Sequence, residues 1–303
     1  MSSRLCWTLL GAAALTVTGC GGRQEGASAP VVPVNWAAVE QAMGRPGSMQ
    51  PGDVYKFGFP RGDLAVAVGG IQLKPALALG SWVAFKATES GAIVMGDLVL
   101  RDDEIEPVMA KLAEGRIDVT ALHHHVLHES PRVFYMHIHG MGGAVALAQA
   151  IHEGLSLTKT PPPSATATPL SLDTARIAQA LGQAGKVNGG VYQVSVPRPD
   201  TIREGDLVIP PAMGVATALN FQPTGGGKAA VTGDFVLRPG EVNAVLRTLR
   251  AHGIDVTAIH NHMLDEEPRL FFVHFWAVDD GAKLAEGLRS ALDVVTAGAG
   301  RRP

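Results

Sequence analysis

Asp255-Val-Thr-Ala-Ile-His-Asn-His262 and the run behind it, Met263-Leu-Asp-Glu-Glu-Pro-Arg-Leu-Phe-Phe-Val-His274, place three histidines, an acidic group and an arginine in a segment that alternates like a β-hairpin. The same text stands 137 positions earlier, as Asp118-Val-Thr-Ala-Leu-His-His-His125 and Val126-Leu-His-Glu-Ser-Pro-Arg-Val-Phe-Tyr-Met-His137. Self-similarity at a fixed spacing marks a duplication, with one such hairpin in each half. Side chains alternate along a strand, so His260 and His262 share a face about 7 Å apart along the chain. His274 returns on the partner strand and joins that face only if paired positions sum to an even number, for example His260 opposite His274. A bulge would also restore that register.

Two imidazoles so placed suit one cation. The expected divalent site, with zinc the expected metal, is His260, His262 and His274 in the second copy. His123, His125 and His137 are the corresponding group in the first, with Glu129 as a further ligand. Glu266 or Glu267 at the turn would serve as fourth ligand or proton shuttle, and Arg269 as a clamp for a small carboxylate. The bland alternative is a half-buried hairpin whose histidines satisfy one another and backbone carbonyls. Tyr55/Tyr192, Arg61/Arg198, Asp97/Asp234 and Asp118/Asp255 are shared positions that could line a pocket. Asp97 and Asp234 follow glycine and read equally well as turn residues.

Outward from the hairpins the rest of each copy falls into place. Ile105, Val108, Met109 and Leu112 recur at helical spacing, as do Val242, Val245, Leu246 and Leu249. Acidic residues crowd the first turn of each, Asp102 to Glu104 in one copy and Glu241 in the other, as suits a helix N-terminus. Helices are expected at Trp36–Met43 and Leu172–Leu181 ahead of each copy, and at Ala144–Leu155 and Gly281–Leu292 behind it. Strands at 54–59 and 191–196, followed by extended segments near 64–73, 79–87 and 92–100 and near 206–209, 214–221 and 229–237, read as an antiparallel meander. The expected class is α+β: two tandem duplicated domains, each a mainly antiparallel sheet with flanking helices.

The 303 residues, 46% hydrophobic and 17% charged, are enough for two domain cores. The net charge of −3 and the lack of a long lysine or arginine block exclude the footprint of a nucleic-acid binder. Arg4, the apolar run Leu5–Val17 and Val17-Thr-Gly-Cys20 read as an export signal ending at a lipidated cysteine, Cys20. A plain secretory peptide with an incidental cysteine is the alternative. With Cys6 in the removed segment, the mature domains hold no cysteine, so a metal must be bound by nitrogen and oxygen. The expected organisation is a lipoprotein signal peptide at 1–20, a tether at 21–34 and repeat 1 at 35–157. A Pro/Thr-rich linker at 158–170, repeat 2 at 171–296 and a loose tail at 297–303 complete it.

The stretch Val256-Thr-Ala-Ile-His-Asn-His-Met-Leu264, with Glu267-Pro-Arg269 and Val273-His-Phe-Trp276, behind a lipobox and in two copies, resembles the LppY/LpqO family of bacterial lipoproteins. That resemblance implies an envelope protein held in the membrane by its N-terminal lipid on the exported face, and assigns no activity. A fainter similarity is to acetolactate decarboxylase, whose zinc-binding H-x-H and later histidine would correspond to His260, His262 and His274, and to His123, His125 and His137. The Gly-Gly before the third histidine of that family is replaced here by Phe271, Phe272 and Val273. Two functional classes therefore stand: a metal-dependent hydrolase or lyase acting on a small carboxylate, and a non-catalytic lipoprotein that binds a metal or small ligand. A purely structural pair of domains is the third reading.

Overall fold

The computed structural model describes residues 32–163 and 168–299. The expected signal peptide, Cys20 and nearly all of the tether lie outside the described residues, as do 164–167 of the linker and 300–303 of the tail. Among the described residues no helix is long and apolar enough to cross a membrane.

The first repeat runs α1 (Trp36–Met43), β1 (Ser48–Gln50), β2 (Val54–Pro60), β3 (Ala67–Val68), β4 (Ile71–Gln72), α2 (Pro75–Ala78), β5 (Gly80–Thr88), β6 (Gly91–Arg101), α3 (Asp102–Glu114), β7 (Asp118–His123), β8 (Val133–Gly142) and α4 (Ala144–Leu155). The second runs α5 (Thr174–Leu181), β9 (Lys186–Asn188), β10 (Val191–Pro197), β11 (Arg203–Glu204), β12 (Leu207–Val208), a 3-10 turn at Pro211–Met213, β13 (Ala216–Gly225), β14 (Lys228–Leu237), α6 (Pro239–Ala251), β15 (Asp255–His260), β16 (Glu266–Glu267), β17 (Phe271–Asp280) and α7 (Gly281–Ala299). Each repeat builds a six-stranded antiparallel sheet, in the order β1-β2-β5-β6-β8-β7 and, correspondingly, β9-β10-β13-β14-β17-β15. The protein is thus α+β in two tandem copies. The last helix reaches Ala299, past the expected start of a loose tail.

Alternation on the central strands gives each sheet two different faces. In β6, Ala92, Val94, Leu98 and Leu100 pack with Val39 of α1, Val108 and Leu112 of α3, and Leu147 and Ile151 of α4. The interleaved Ile93 and Met95 face the other way and cluster with Ile209, Met213, Val236 and Phe272 of the second repeat. Reciprocally, Val191 and Ala230 of the second sheet cluster with Leu64, Val66, Leu73, Val133 and Tyr135 of the first repeat. Helices therefore cover the outer face of each sheet, and the inner faces bury apolar area against the opposite repeat.

The expected meander is interrupted. Between β2 and β5, and between β10 and β13, the chain leaves the sheet, and these arms supply Leu64 to Leu79 and Ile202 to Val215 to the mixed clusters. The first arm buries its apolar side chains against Val99, Val133 and Tyr135 of its own sheet and Val191 and Ala230 of the other, the second against Val236 and Phe272 of its own and Ala84, Ile93 and Met95 of the other. Gln222 ties one arm down, its Nε2 donating to the Gln72 carbonyl and its Oε1 accepting from Lys74 N, each at 2.8 Å.

Arg61 and Arg198 are held in buried ion pairs away from the histidines; Arg198 also borders a small pocket with Leu181, Gln183 and Arg289. Arg61 is fully buried and donates to both oxygens of Glu104, at 2.8 and 3.0 Å, and to the Val99 carbonyl at 2.6 Å. Glu104 in turn accepts from Arg101 N at 2.9 Å at the start of α3. Arg198, Glu241, Val236 and Arg238 repeat this at the start of α6. A bidentate arginine compensates a buried carboxylate that closes a helix N-terminus. Tyr55 and Tyr192 belong to the helix-covered cores, and Asp118 and Asp255 are exposed.

Candidate metal centre

A bulge decides where the histidines point. In β7, Val119 pairs with Ile138 but Ala121 pairs with His137, so the register shifts by one residue at Thr120. Val119 packs in the helix-side core. Without the bulge His123, of the same parity, would follow it there; the extra residue turns Ala121 and His123 onto the inner face. The second hairpin does the same at Thr257, with Val256 opposite Phe275 and then Ala258 opposite His274. The register past the bulge is even, with His260 facing Phe272 rather than His274.

The two hairpins meet at the interface between repeats, and all six histidines converge there. His123 and His260 stack with ring centroids 3.6 Å apart. Each H-x-H pair is 5.1 Å between centroids, His123 to His125 and His260 to His262. The third histidine of each copy comes nearest to the other copy: His274 lies 3.8 Å from His125, and His137 lies 3.8 Å from His262. The Nε2 atoms of His123 and His274 are 3.3 Å apart. His125 and His262 are further fixed by stacking on Tyr135 and Phe272, at 3.3 and 3.4 Å.

Asp97 and Asp234 complete the cluster. Both lie inside long strands, directly opposite His137 and His274, and are not turn residues. They share the inner-face parity of Ile93 and Ala230, which is the signal in the sequence that would have found them. Asp97 Oδ2 is 3.4 Å from His125 Nε2, and Asp234 Oδ2 is 3.0 Å from His262 Nε2. Neither nitrogen makes a hydrogen bond of acceptable direction there; both are buried and otherwise unpartnered. Two ligands aimed at one ion sit in this way, close to each other without pointing at each other. Donor atoms about 2.0–2.1 Å from a tetrahedral zinc ion are separated by roughly 3.3 Å, which is the spacing found.

Hydrogen bonds behind the rings fix which nitrogen faces the centre. His274 Nδ1 donates to the Gly233 carbonyl at 2.7 Å, and His262 Nδ1 to the Gly214 carbonyl at 3.1 Å, leaving each Nε2 lone pair inward. His137 has an unpartnered Nε2. His260 has no partner on either nitrogen. A buried polar atom left unpaired costs about 1–3 kcal/mol, so the histidines satisfy one another and backbone carbonyls only in part: His123 and His274 are within hydrogen-bond distance, whereas the Nε2 atoms of His125, His137, His260 and His262 are unpartnered. Burial, reinforced by neighbouring imidazoles, pushes His123, His125, His137 and His260 well below the ordinary histidine range, and burial lowers His274. They are neutral, the form that binds a metal. Burial also raises the Asp97 carboxyl well above its ordinary value, and the charge of Asp234 adds to this.

The expected turn residues are engaged elsewhere. Glu266 Oε1 accepts from Leu270 N at 2.8 Å, and its other oxygen pairs with Arg269 at 3.3 Å. Glu267 is exposed. Arg269 donates to the Leu264 carbonyl at 2.9 Å. Glu129 is turned toward His124, 3.4 Å away. Glu266 thus braces its own turn by accepting from a backbone N–H that the loop leaves without a ladder partner. Among the described residues none of the four falls within the groups of potential ligand atoms that lie close to one another, which are His123, His125 and His274; His123, His137 and His260; and Asp234, His260 and His262. His139, the first copy's replacement for Trp276, pairs across the interface with Glu204 at 3.0 Å.

No curated protein matches the chain. A solved structure of a trimeric bacterial microcompartment shell protein, PduB, is 13% identical over 84% of this chain and 94% of that one, with a TM-score of 0.22, too low to carry any structural argument. Residues 37–157 and 175–294 each match the family described as Domain of Unknown Function (DUF1259), one match per structural repeat and together well over half of the chain, so the protein belongs to that family and carries its domain twice.

Proposed function

We propose that the protein is an envelope lipoprotein of the LppY/LpqO type, exported and anchored through Cys20, that binds a divalent cation, zinc, at the interface of its two repeats. The observation that carries this reading is the set of buried imidazole nitrogens and carboxylate oxygens with no partner, spaced as ligands of a small cation. Capture or retention of the metal is favoured over catalysis. Three histidines and an aspartate close a tetrahedral shell, and a closed shell leaves no position for a reacting water. One observation favours the alternative, metal-dependent hydrolysis or lyase chemistry on a small carboxylate: His123 and His260 are only half-buried. In that case Glu266, Glu267 and Arg269 must first leave the turn contacts that hold Glu266 and Arg269.

Metal analysis of the purified chain beside a His260→Ala/His262→Ala variant tests the reading. Bound divalent metal in the parent and a marked loss in the variant are expected; equal and negligible metal in both would end it. A Co(II)-substituted protein separates the two classes, since a tetrahedral spectrum indifferent to added small carboxylates supports binding and a spectrum that responds to them supports an open, catalytic position.

A further inference from the structure

We infer that the centre takes two cations, not one, and that the repeats exchange ligands to make them. One cation is held by His123 and His125 of the first repeat with His274 of the second, the other by His260 and His262 of the second with His137 of the first. Asp97 and Asp234 supply the fourth ligands. This rests on the metal-binding reading above and adds stoichiometry and connectivity to it.

Three observations converge. First, the two exchanged triads have the same shape. Centroid separations are 5.1, 5.3 and 3.8 Å for His123/His125, His123/His274 and His125/His274. They are 5.1, 5.4 and 3.8 Å for His260/His262, His260/His137 and His262/His137. The rings of the two triads are thus arranged alike, and ligand atoms come within 4.8 Å of one another in His123, His125 and His274 on one side and in His260, His262 and Asp234 on the other. Second, eight donor residues exceed what one tetrahedral ion can use and are enough for two shells of three imidazoles and one carboxylate. Third, although ligand atoms of His123, His137 and His260 also come within 4.8 Å of one another, His123 and His260 share one stack. Those rings stack nearly parallel, with 19° between planes. An imidazole lone pair lies in the ring plane, so parallel stacked rings offer an ion between them their π faces and aim their lone pairs to the sides, where the two triads are.

The exchange also accounts for two carboxylates in one buried space. Each carboxylate lies beside a different triad, Asp97 Oδ2 3.4 Å from His125 Nε2 and Asp234 Oδ2 3.0 Å from His262 Nε2, so each would pair with its own cation. The Lys56 ammonium is held over the Trp82 ring at 4.0 Å and donates to the Ala212 carbonyl at 3.2 Å. Its counterpart in the second repeat is the neutral Gln193, which donates to the Ala76 carbonyl, so this position supplies a cation in one repeat only.

Titration of the metal-free full chain with Co(II), followed by the visible absorbance of tetrahedral cobalt, needs no substitution. Saturation at two equivalents is expected. One equivalent overturns the inference while leaving the metal-binding reading intact, and no binding overturns both. Connectivity is read from two double variants. His125→Gln/His274→Gln damages a single exchanged triad and is expected to retain about one equivalent; His125→Gln/His137→Gln damages both triads and is expected to retain close to none. The reverse ranking would mean that each hairpin binds its own metal and would overturn the exchange. Far-UV circular dichroism of both variants checks folding, and if neither folds, the wild-type titration alone decides the stoichiometry.

Discussion

Thr120 Oγ1 donates a 2.6 Å hydrogen bond to the backbone carbonyl of His262, and the bond has a counterpart, Thr257 Oγ1 to the carbonyl of His125, also 2.6 Å. Each threonine is the bulge residue that turns its own strand's histidine inward, and each reaches across to hold the end of the other repeat's H-x-H pair. One residue thus sets both the register of its hairpin and the docking of the two copies. We expect Thr120→Val to leave the His262 carbonyl unpaired and cost about 1–3 kcal/mol. It should also weaken metal binding, because the affected carbonyl belongs to a ligand. Urea denaturation and metal competition measure the two effects; an unchanged denaturation midpoint would contradict the first.

Arg61 offers a contrasting case. Removing a buried guanidinium that satisfies Glu104, Asp63 and the Val99 carbonyl leaves a carboxylate uncompensated, typically a loss of 3–5 kcal/mol. Arg61→Ala should therefore destabilise the first repeat severely, and Arg198→Ala the second, while metal affinity per folded molecule stays unchanged. A variant that folds normally but binds metal poorly would place these arginines at the site after all.

Acid should unfold the metal-free protein early. His123, His125, His137, His260 and His274 have lowered folded values, whereas the unfolded chain takes up protons near pH 6.5. Between those limits the unfolded state binds more protons, so the contribution is complete above about pH 6.5 and is lost as pH falls. Asp97 runs the other way: its raised folded value makes its contribution decline as pH rises above about 4. Five histidines outweigh one carboxyl. Stability in chelator should fall between pH 7.5 and 5.5 by up to about 1.4 kcal/mol per pH unit for each histidine that titrates. Denaturation at three pH values tests this; a flat profile would contradict buried neutral rings.

Gly233 fits a strand with no room for a side chain. A Cβ there would run into the Ala218 carbonyl, and the Gly233 carbonyl holds His274 in its orientation. Gly233→Ala should cost about 1–3 kcal/mol through overpacking and lower metal occupancy. Gly58→Ala is the control, since a Cβ at Gly58 meets nothing within 4 Å.

Lipidation is tested separately from metal binding. A Cys20→Ala protein should leave the membrane fraction with its metal content unchanged. Retention in the membrane would contradict the anchor.

The repeat was legible because duplication writes the same residues twice, and His260, His262 and His274 could be placed on one face because strand parity is a local property. The helices at Trp36–Met43 and Asp102–Glu114 followed in the same way from spacing and capping residues. The grouping of the histidines was not legible. Nothing in the chain says that His274 lies nearer to His125 than to His262, because that depends on apolar arms folding over the opposite sheet and bringing the inner faces together. The same docking brings Asp97 and Asp234, which a glycine before them had disguised as turn residues, against His125 and His262, and leaves Glu129 beside His124 and Glu266 bracing its turn. Sequence fixes what each strand presents on each face; only the burial of one repeat against the other decides which presented atoms meet.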